Sequence, residues 1–164
     1  MTLAEQERSR WESAEIAEGI AVLDQALLLH RPGPYQIQAA IAALHAQAPT
    51  AAETDWPQIA ALYQSLRHHH DTPVVALNHA VAVAMAEGVE IGLQLLDQIA
   101  SAEALQQYHL LPAARADLLR RAERWSEAAV AYRAALELVD NQIEQAYLAR
   151  RLREVEEYLM STAL

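Results

Sequence analysis

Cysteine, lysine and phenylalanine are absent from the 164 residues, and there are only four glycines. Without cysteine the chain can close no disulfide, run no thiol chemistry and build no zinc site on thiolates. With so little glycine a backbone cradle for phosphate is hard to assemble, and no glycine-rich phosphate loop, GxSxG elbow or dinucleotide fingerprint occurs. The chain is 53% hydrophobic but alanine-rich and without phenylalanine, which argues against a centre filled with aromatics. Small side chains let helices approach closely, so the core is expected between helix pairs. No stretch is long and apolar enough to span a bilayer. The segment MTLAEQERSRW is charged and has no apolar core, so the chain is expected to be soluble, intracellular and cytoplasmic.

Because lysine is missing, all 12 basic residues are arginine, within a formal net charge of −10. Residues 115–164 hold eight arginines against nine acids, whereas residues 1–114 hold four against thirteen. An acidic chain is repelled by phosphate backbones, so direct nucleic-acid binding by this segment is not expected. The later arginines (Arg115, Arg120, Arg121, Arg124, Arg150, Arg151, Arg153) read as partners of interleaved acids. A basic patch for a protein partner is the alternative.

At this length the chain is a single domain, 1–164, able to bury a real core. Helical periodicity dominates and strand alternation is nearly missing. Prolines sit where first helical turns accept them, in Gly33-Pro34, Thr72-Pro73 and near Pro112. Asn141 with Glu144 has the spacing of a capping box, and Gly88 is placed to end a helix in a left-handed turn. About nine helices are predicted, starting near residues 4, 34, 56, 73, 89, 101, 109, 126 and 141, the sixth being short.

The sequence also repeats itself. WSEAAVAYRAAL (125–136) aligns with WPQIAALYQSL (56–66), pairing Trp125 with Trp56, Ala129 with Ala60 and Tyr132 with Tyr63. EIGLQLLDQI (90–99) aligns at an offset of 36, with Gly92 on Ala128 and Leu96 on Tyr132; Ala80 and Val83 fall on Ala116 and Leu119. A small residue, another twelve positions on and a large residue four later, repeated every 34–36 residues, is the tetratricopeptide pattern. The expectation is an all-α fold, a right-handed α-solenoid of tetratricopeptide-like helix hairpins. Its repeats are 73–106 and 109–141 with a looser one at 34–68, and helices 4–30 and 141–161 cap the stack.

In GPYQIQAAIAALHA (33–46), Ile37, Ile41 and Leu44 share one stripe. Gln38 and His45 lie beside it, where a polar side chain bonds a neighbouring helix or lines a groove. Catalysis there would need a nucleophile or paired carboxylates nearby, and the sequence offers none locally. In RHHHD (67–71) three consecutive histidines point in three directions on a helix, so they suit a helix C-terminus better than one metal ion. His79 and His109, beside Asn78 and Tyr108, fall near helix starts and either satisfy interhelix bonds or line a surface. Trp56 and Trp125 are structural by equivalence. Trp11, three residues after Arg8, is placed in the first helix, packing into the stack or facing an upstream segment.

Six segments in order, RSRWESAEIAEG, GPYQIQAAIAALHA, DWPQIAALYQSL, PVVALNHAVAVA, YHLLPAARADLLRR and EAAVAYRAAL, resemble the C-terminal extension of a subgroup of extracytoplasmic-function (sigma-70 family) RNA polymerase sigma factors. The resemblance runs from about Arg8 to Leu152. In those proteins sigma regions two and four precede a helical, tetratricopeptide-like domain; nothing in this chain resembles the sigma regions themselves. The resemblance implies an excised C-terminal piece of a larger sigma factor, or a stand-alone relative. Its role would be regulatory and non-enzymatic, needing no cofactor or metal. The implied partners are the sigma regions of the parent protein and core RNA polymerase, with no membrane contact; a homodimer is compatible. Candidate protein-binding residues are Arg8, Trp11, Tyr35, Gln38, His45, Asp55, Trp56, Asn78, His79, Tyr108, His109 and Arg115. The alternatives are a free-standing tetratricopeptide adaptor and a small-molecule sensor or hydrolase in which His45, His79 and His109 converge.

Overall fold

The structure is a computed structural model and describes residues 5–162. Among them lie nine α-helices and no strand: α1 Ser13–Leu27, α2 Pro34–Gln47, α3 Trp56–His69, α4 Pro73–Glu87, α5 Val89–Ile99, α6 Glu103–Gln106, α7 Leu110–Arg121, α8 Trp125–Leu138 and α9 Gln142–Thr162. Short 3₁₀ turns at Arg8–Arg10 and Ala51–Glu53 precede α1 and α3. Helices pack on their neighbours in the chain: α2 on α3, α3 on α4, α4 on α5, α7 on α8 and α8 on α9, with α7 also touching α4 and α5.

The helix starts follow local chemistry. Asp55 Oδ1 accepts the Gln58 N–H at 3.0 Å, and Thr72 Oγ1 accepts that of Val75 at 3.3 Å, each satisfying a donor that has no partner within its own helix. Pro34 and Pro73 occupy first-turn positions where no intrahelical N–H is required. Gly88 joins α4 to α5 at φ +127° and ψ 148°, a conformation open to glycine alone. That is a more extended corner than the left-handed turn expected there.

Three expectations need correction. Among the described residues the first α-helix begins at Ser13; Arg8–Arg10 form a 3₁₀ turn, and Trp11, expected in the first helix, lies between that turn and α1. Residue 4, where the cap 4–30 was expected to begin, lies outside the described residues. At Asn141 only half of the capping box forms: its Oδ1 accepts the N–H groups of Ile143 and Glu144. Glu144 turns instead toward His109, its carboxylate 3.0 Å from the ring Nε2, and the reciprocal bond of the box is not made. His79 sits in the middle of α4 rather than at its start.

Two groups of buried side chains hold the helices together. One joins α2, α3 and α4 through Ile37, Ile41, Ile59, Leu66, Val75 and Val83. The other joins α4 to α9 through Leu77, Ala80, Leu93, Leu96, Leu118, Tyr132 and Val155. Helix α4 serves both and buries seven residues, spread around the helix and not confined to one stripe. The positions paired by the repeat are those that vanish from solvent: Ala80, Ala116, Ala128, Leu96 and Tyr132 are all buried. Tyr63, their counterpart in the looser unit, stays half-buried.

Gly92 marks the closest approach. A Cβ there would stand 2.2 Å from the Ala84 Cβ and 2.9 Å from the Ala80 carbonyl oxygen, and backbone cannot yield as a flexible side-chain tip would. Gly92→Ala is therefore expected to destabilise the chain by about 2–3 kcal/mol, the upper range for overpacking. Equilibrium urea unfolding reads this out; an unchanged midpoint would mean that α4 and α5 are not so closely packed.

Candidate functional site

The twelve candidate residues do not meet in one place. The best-defined group lies where the segment before α1 crosses the α2–α3 connection. Arg8 Nη1 donates to the His45 carbonyl at 2.8 Å and also to that of Ala48, while Nη2 reaches Thr54 Oγ1 at 3.4 Å. Its guanidinium lies 5.1 Å from the Trp11 ring centroid. Two carbonyls left over where α2 ends are thus satisfied by one planar cation. On the next layer His45 meets Trp56 edge-on, with centroids 5.2 Å apart and planes at 75°. Asp55 caps the helix that Trp56 opens. Arg8, Trp11, His45, Asp55 and Trp56 therefore fasten the first three helices together.

Tyr35 and Gln38, placed beside this group by the sequence, are exposed on α2. Neither is buried, and α1, which packs on α2, has only Leu23 buried among its own residues. Asn78 and His79 are half-buried on α4, and Tyr108 and His109 precede α7 with ring centroids 6.1 Å apart. Arg115 pairs with Asp97 across α5 and α7. His45, His79 and His109 thus belong to different elements, and none lines either of two shallow, open recesses of about 550 and 390 Å³. In RHHHD, Arg67 bonds Asp71 at 2.9 Å and the His68 ring contacts the Gln64 carbonyl. Among the described residues no cluster of three or more histidines or carboxylates is placed to hold a metal ion.

Most of the later arginines do pair with acids, through Arg120 and Arg121 on Asp117, Arg124 on Glu90 and Glu127, and Arg133 on Glu156. Behind the first of these, burial and the Asp117 charge push the Tyr132 phenol up to about 12. Its buried hydroxyl has no aligned hydrogen-bond partner.

Two features escaped the sequence reading. Glu5 Oε1 accepts from Arg150 Nη2 at 2.7 Å and from Arg151 Nη2 at 2.8 Å, linking residues 145 and 146 positions apart. Local spacing could show the partnership of Arg150 and Arg151 with Glu154, but nothing local points to Glu5. The second feature is an apolar surface. Val22, Leu28 and Leu29 are 61%, 72% and 71% exposed around the end of α1, and Tyr35 is 84% exposed at the start of α2. The run LLL at 27–29 was the available signal.

No family model matches the chain, and no solved structure does. The chain is 43% identical over 150 residues to an uncharacterized protein of Rhizobium meliloti (strain 1021). The match covers 92% of this chain and 35% of that protein, so the chain spans about a third of its relative's length. Among the described residues no helix is long and apolar enough to cross a membrane.

Two predictions follow from the geometry. Arg8→Ala should cost about 1.5–3 kcal/mol, the usual range for charge-assisted bonds, and Arg8→Lys should recover little because an ammonium lacks the fork. Thermal unfolding of the two variants checks this. Burial, with Arg8 adding, lowers the His45 pKa, and burial with Arg67 lowers that of His79 against an opposing pull from Glu87. The unfolded chain then binds more protons than the folded one below the ordinary histidine value of 6.5, so stability is full above that value and declines as pH falls through it. Between pH of about 7.5 and 5.5 the unfolding midpoint should drop, and His45→Gln with His79→Gln should flatten the drop.

Proposed function

We propose that this chain is a tetratricopeptide-like, right-handed α-solenoid that acts as a cytoplasmic, non-enzymatic regulatory domain of an extracytoplasmic-function RNA polymerase sigma factor. It modulates transcription initiation by contacting the sigma regions of its parent protein or core RNA polymerase. The observation that carries an interaction role is the apolar surface around Val22, Leu28, Leu29 and Tyr35. Four large side chains so exposed in one part of the sequence favour association over solvation. Support for the helical-repeat architecture comes from the buried small residues at repeat-equivalent positions, Ala80, Ala116 and Ala128. Support for the sigma context is the order of the six resembling segments, together with a relative of which 65% lies outside the matched region, room for further domains.

The test is calorimetric titration of this chain with a separately expressed extracytoplasmic-function sigma half from the same organism, encoded in frame with it. Micromolar or tighter binding is expected, weakened at least about tenfold, or 1.4 kcal/mol, by Leu28→Ser with Leu29→Ser at unchanged helicity. Failure to bind both the sigma half and core polymerase would leave the adaptor reading in its place.

A further inference from the structure

Helix α9 carries a small cationic platform. Arg150 and Arg151 lie with their guanidinium carbons 5.4 and 5.5 Å from the centroid of the Tyr147 ring. Arg151 Nε also donates to the Tyr147 hydroxyl at 3.2 Å. From one turn further along, Glu154 accepts from Arg150 Nη1 at 3.3 Å and from Arg151 Nη1 at 2.8 Å. All four residues share one face of the helix at spacings of three, four and seven. Each guanidinium is thus held within its own helix, Arg150 through Nη1 and Arg151 through Nε and Nη1, leaving the Nη2 groups directed at a common point. At that point sits the Glu5 carboxylate oxygen.

The contacts that orient the platform are made within α9 and do not include Glu5. The platform resembles a receptor that is set in advance and filled by the nearest acid. Alongside it runs the open recess of about 550 Å³, lined by Glu5, Ala146, Tyr147, Arg150 and Arg153. Among the described residues Arg153 has no ion-pair partner, so the recess adds a third positive charge next to the two that hold Glu5. With Glu5 withdrawn, Arg150 and Arg151 would share one ion-pair partner, Glu154, in a chain whose net charge is −10. A polyanion would be repelled by the rest of the surface; a short segment bringing one or two acids would not.

The geometry points to Tyr147, Arg150 and Arg151 as a receiving site for a glutamate side chain of an acidic, extended peptide in a protein partner, with Glu5 as the resident occupant that such a peptide displaces. The segment of Glu5 remains attached through Arg8 when it is displaced, since Arg8 bonds the α2–α3 connection and not α9. A tethered occupant competes at an effective concentration in the millimolar range, so only a peptide of better affinity or higher local concentration enters. The inference holds whichever protein presents the acid.

The probe is acetyl-TLAEQE-amide, a copy of residues 2–7, titrated into the full chain and followed by the arginine Nε–H signals in NMR. Glu5→Gln should bind it at least about tenfold tighter than the unchanged chain, because the tethered competitor is gone. The same peptide with glutamine in place of its first glutamate should lose that gain. In the Glu5→Gln background, Arg151→Gln should abolish binding. If Arg151→Gln fails to fold, by circular dichroism, Arg150→Gln at an exposed position gives the same reading. Equal affinity of the unchanged and Glu5→Gln chains, indifference to either arginine change, or no binding by Glu5→Gln up to about 10 mM peptide would each overturn the inference.

Discussion

The rest of the fold depends on how closely α4 and α5 approach at Gly92. With the Ala84 side chain and the Ala80 carbonyl pressed where a Cβ would be, the two helices touch along backbone. Their large residues, Leu93 and Leu96, are then driven past the contact and into the group that α7, α8 and α9 complete. Ala116 and Ala128 occupy the equivalent positions of the next unit and are fully buried. Helices that meet through small residues leave their larger side chains for the neighbouring layer. A chain with no phenylalanine can therefore still fill its interior, with Tyr132 as its largest fully buried side chain.

This is also why so much of the architecture was legible. Small residues at a fixed spacing and prolines at first turns are local signals, and the helix starts of α2, α3, α4 and α5 fall where those signals put them. The site was less legible for physical reasons that differ from residue to residue. Arg8 and Trp11 were singled out, but the helix assigned to them could not show that Arg8 satisfies the carbonyls ending α2. Gln38 and His45 were placed together beside the buried stripe, because a wheel assumes that a neighbouring helix covers the whole flank. In the structure His45 is half-buried against Trp56 whereas Gln38 is exposed. Glu144 was paired correctly in sequence with Asn141, whose side chain accepts its N–H, and yet its own carboxylate lies toward His109, a contact from another element that local spacing does not show.

The charge distribution reads differently once contacts are known. The near-neutral balance of the last 50 residues hides an arrangement in which most arginines hold an acid on a neighbouring element, Asp97 to Arg115, Glu90 to Arg124 and Glu156 to Arg133. Such exposed pairs contribute little stability each, typically under about 1 kcal/mol. What they fix is register between helices whose apolar contacts, made largely of alanine, discriminate weakly between one alignment and the next. Arginine suits that task because its planar fork holds a carboxylate in one orientation.

The link from Glu5 to α9 has a consequence in time. Nearly all other packing joins elements close together in the chain, so the helices can assemble in the order in which they are made. Glu5 leaves the ribosome early and its partners late, with 145 residues between them. At ordinary rates of synthesis that interval lasts roughly 7–30 seconds. Arg8 can find the α2–α3 connection within the first third of the chain, but the carboxylate three residues before it must wait. The clasp to Arg150 and Arg151 closes only once α9 is in place, which makes it a mark of completion: it ties the start of the described chain to a helix made more than a hundred residues later.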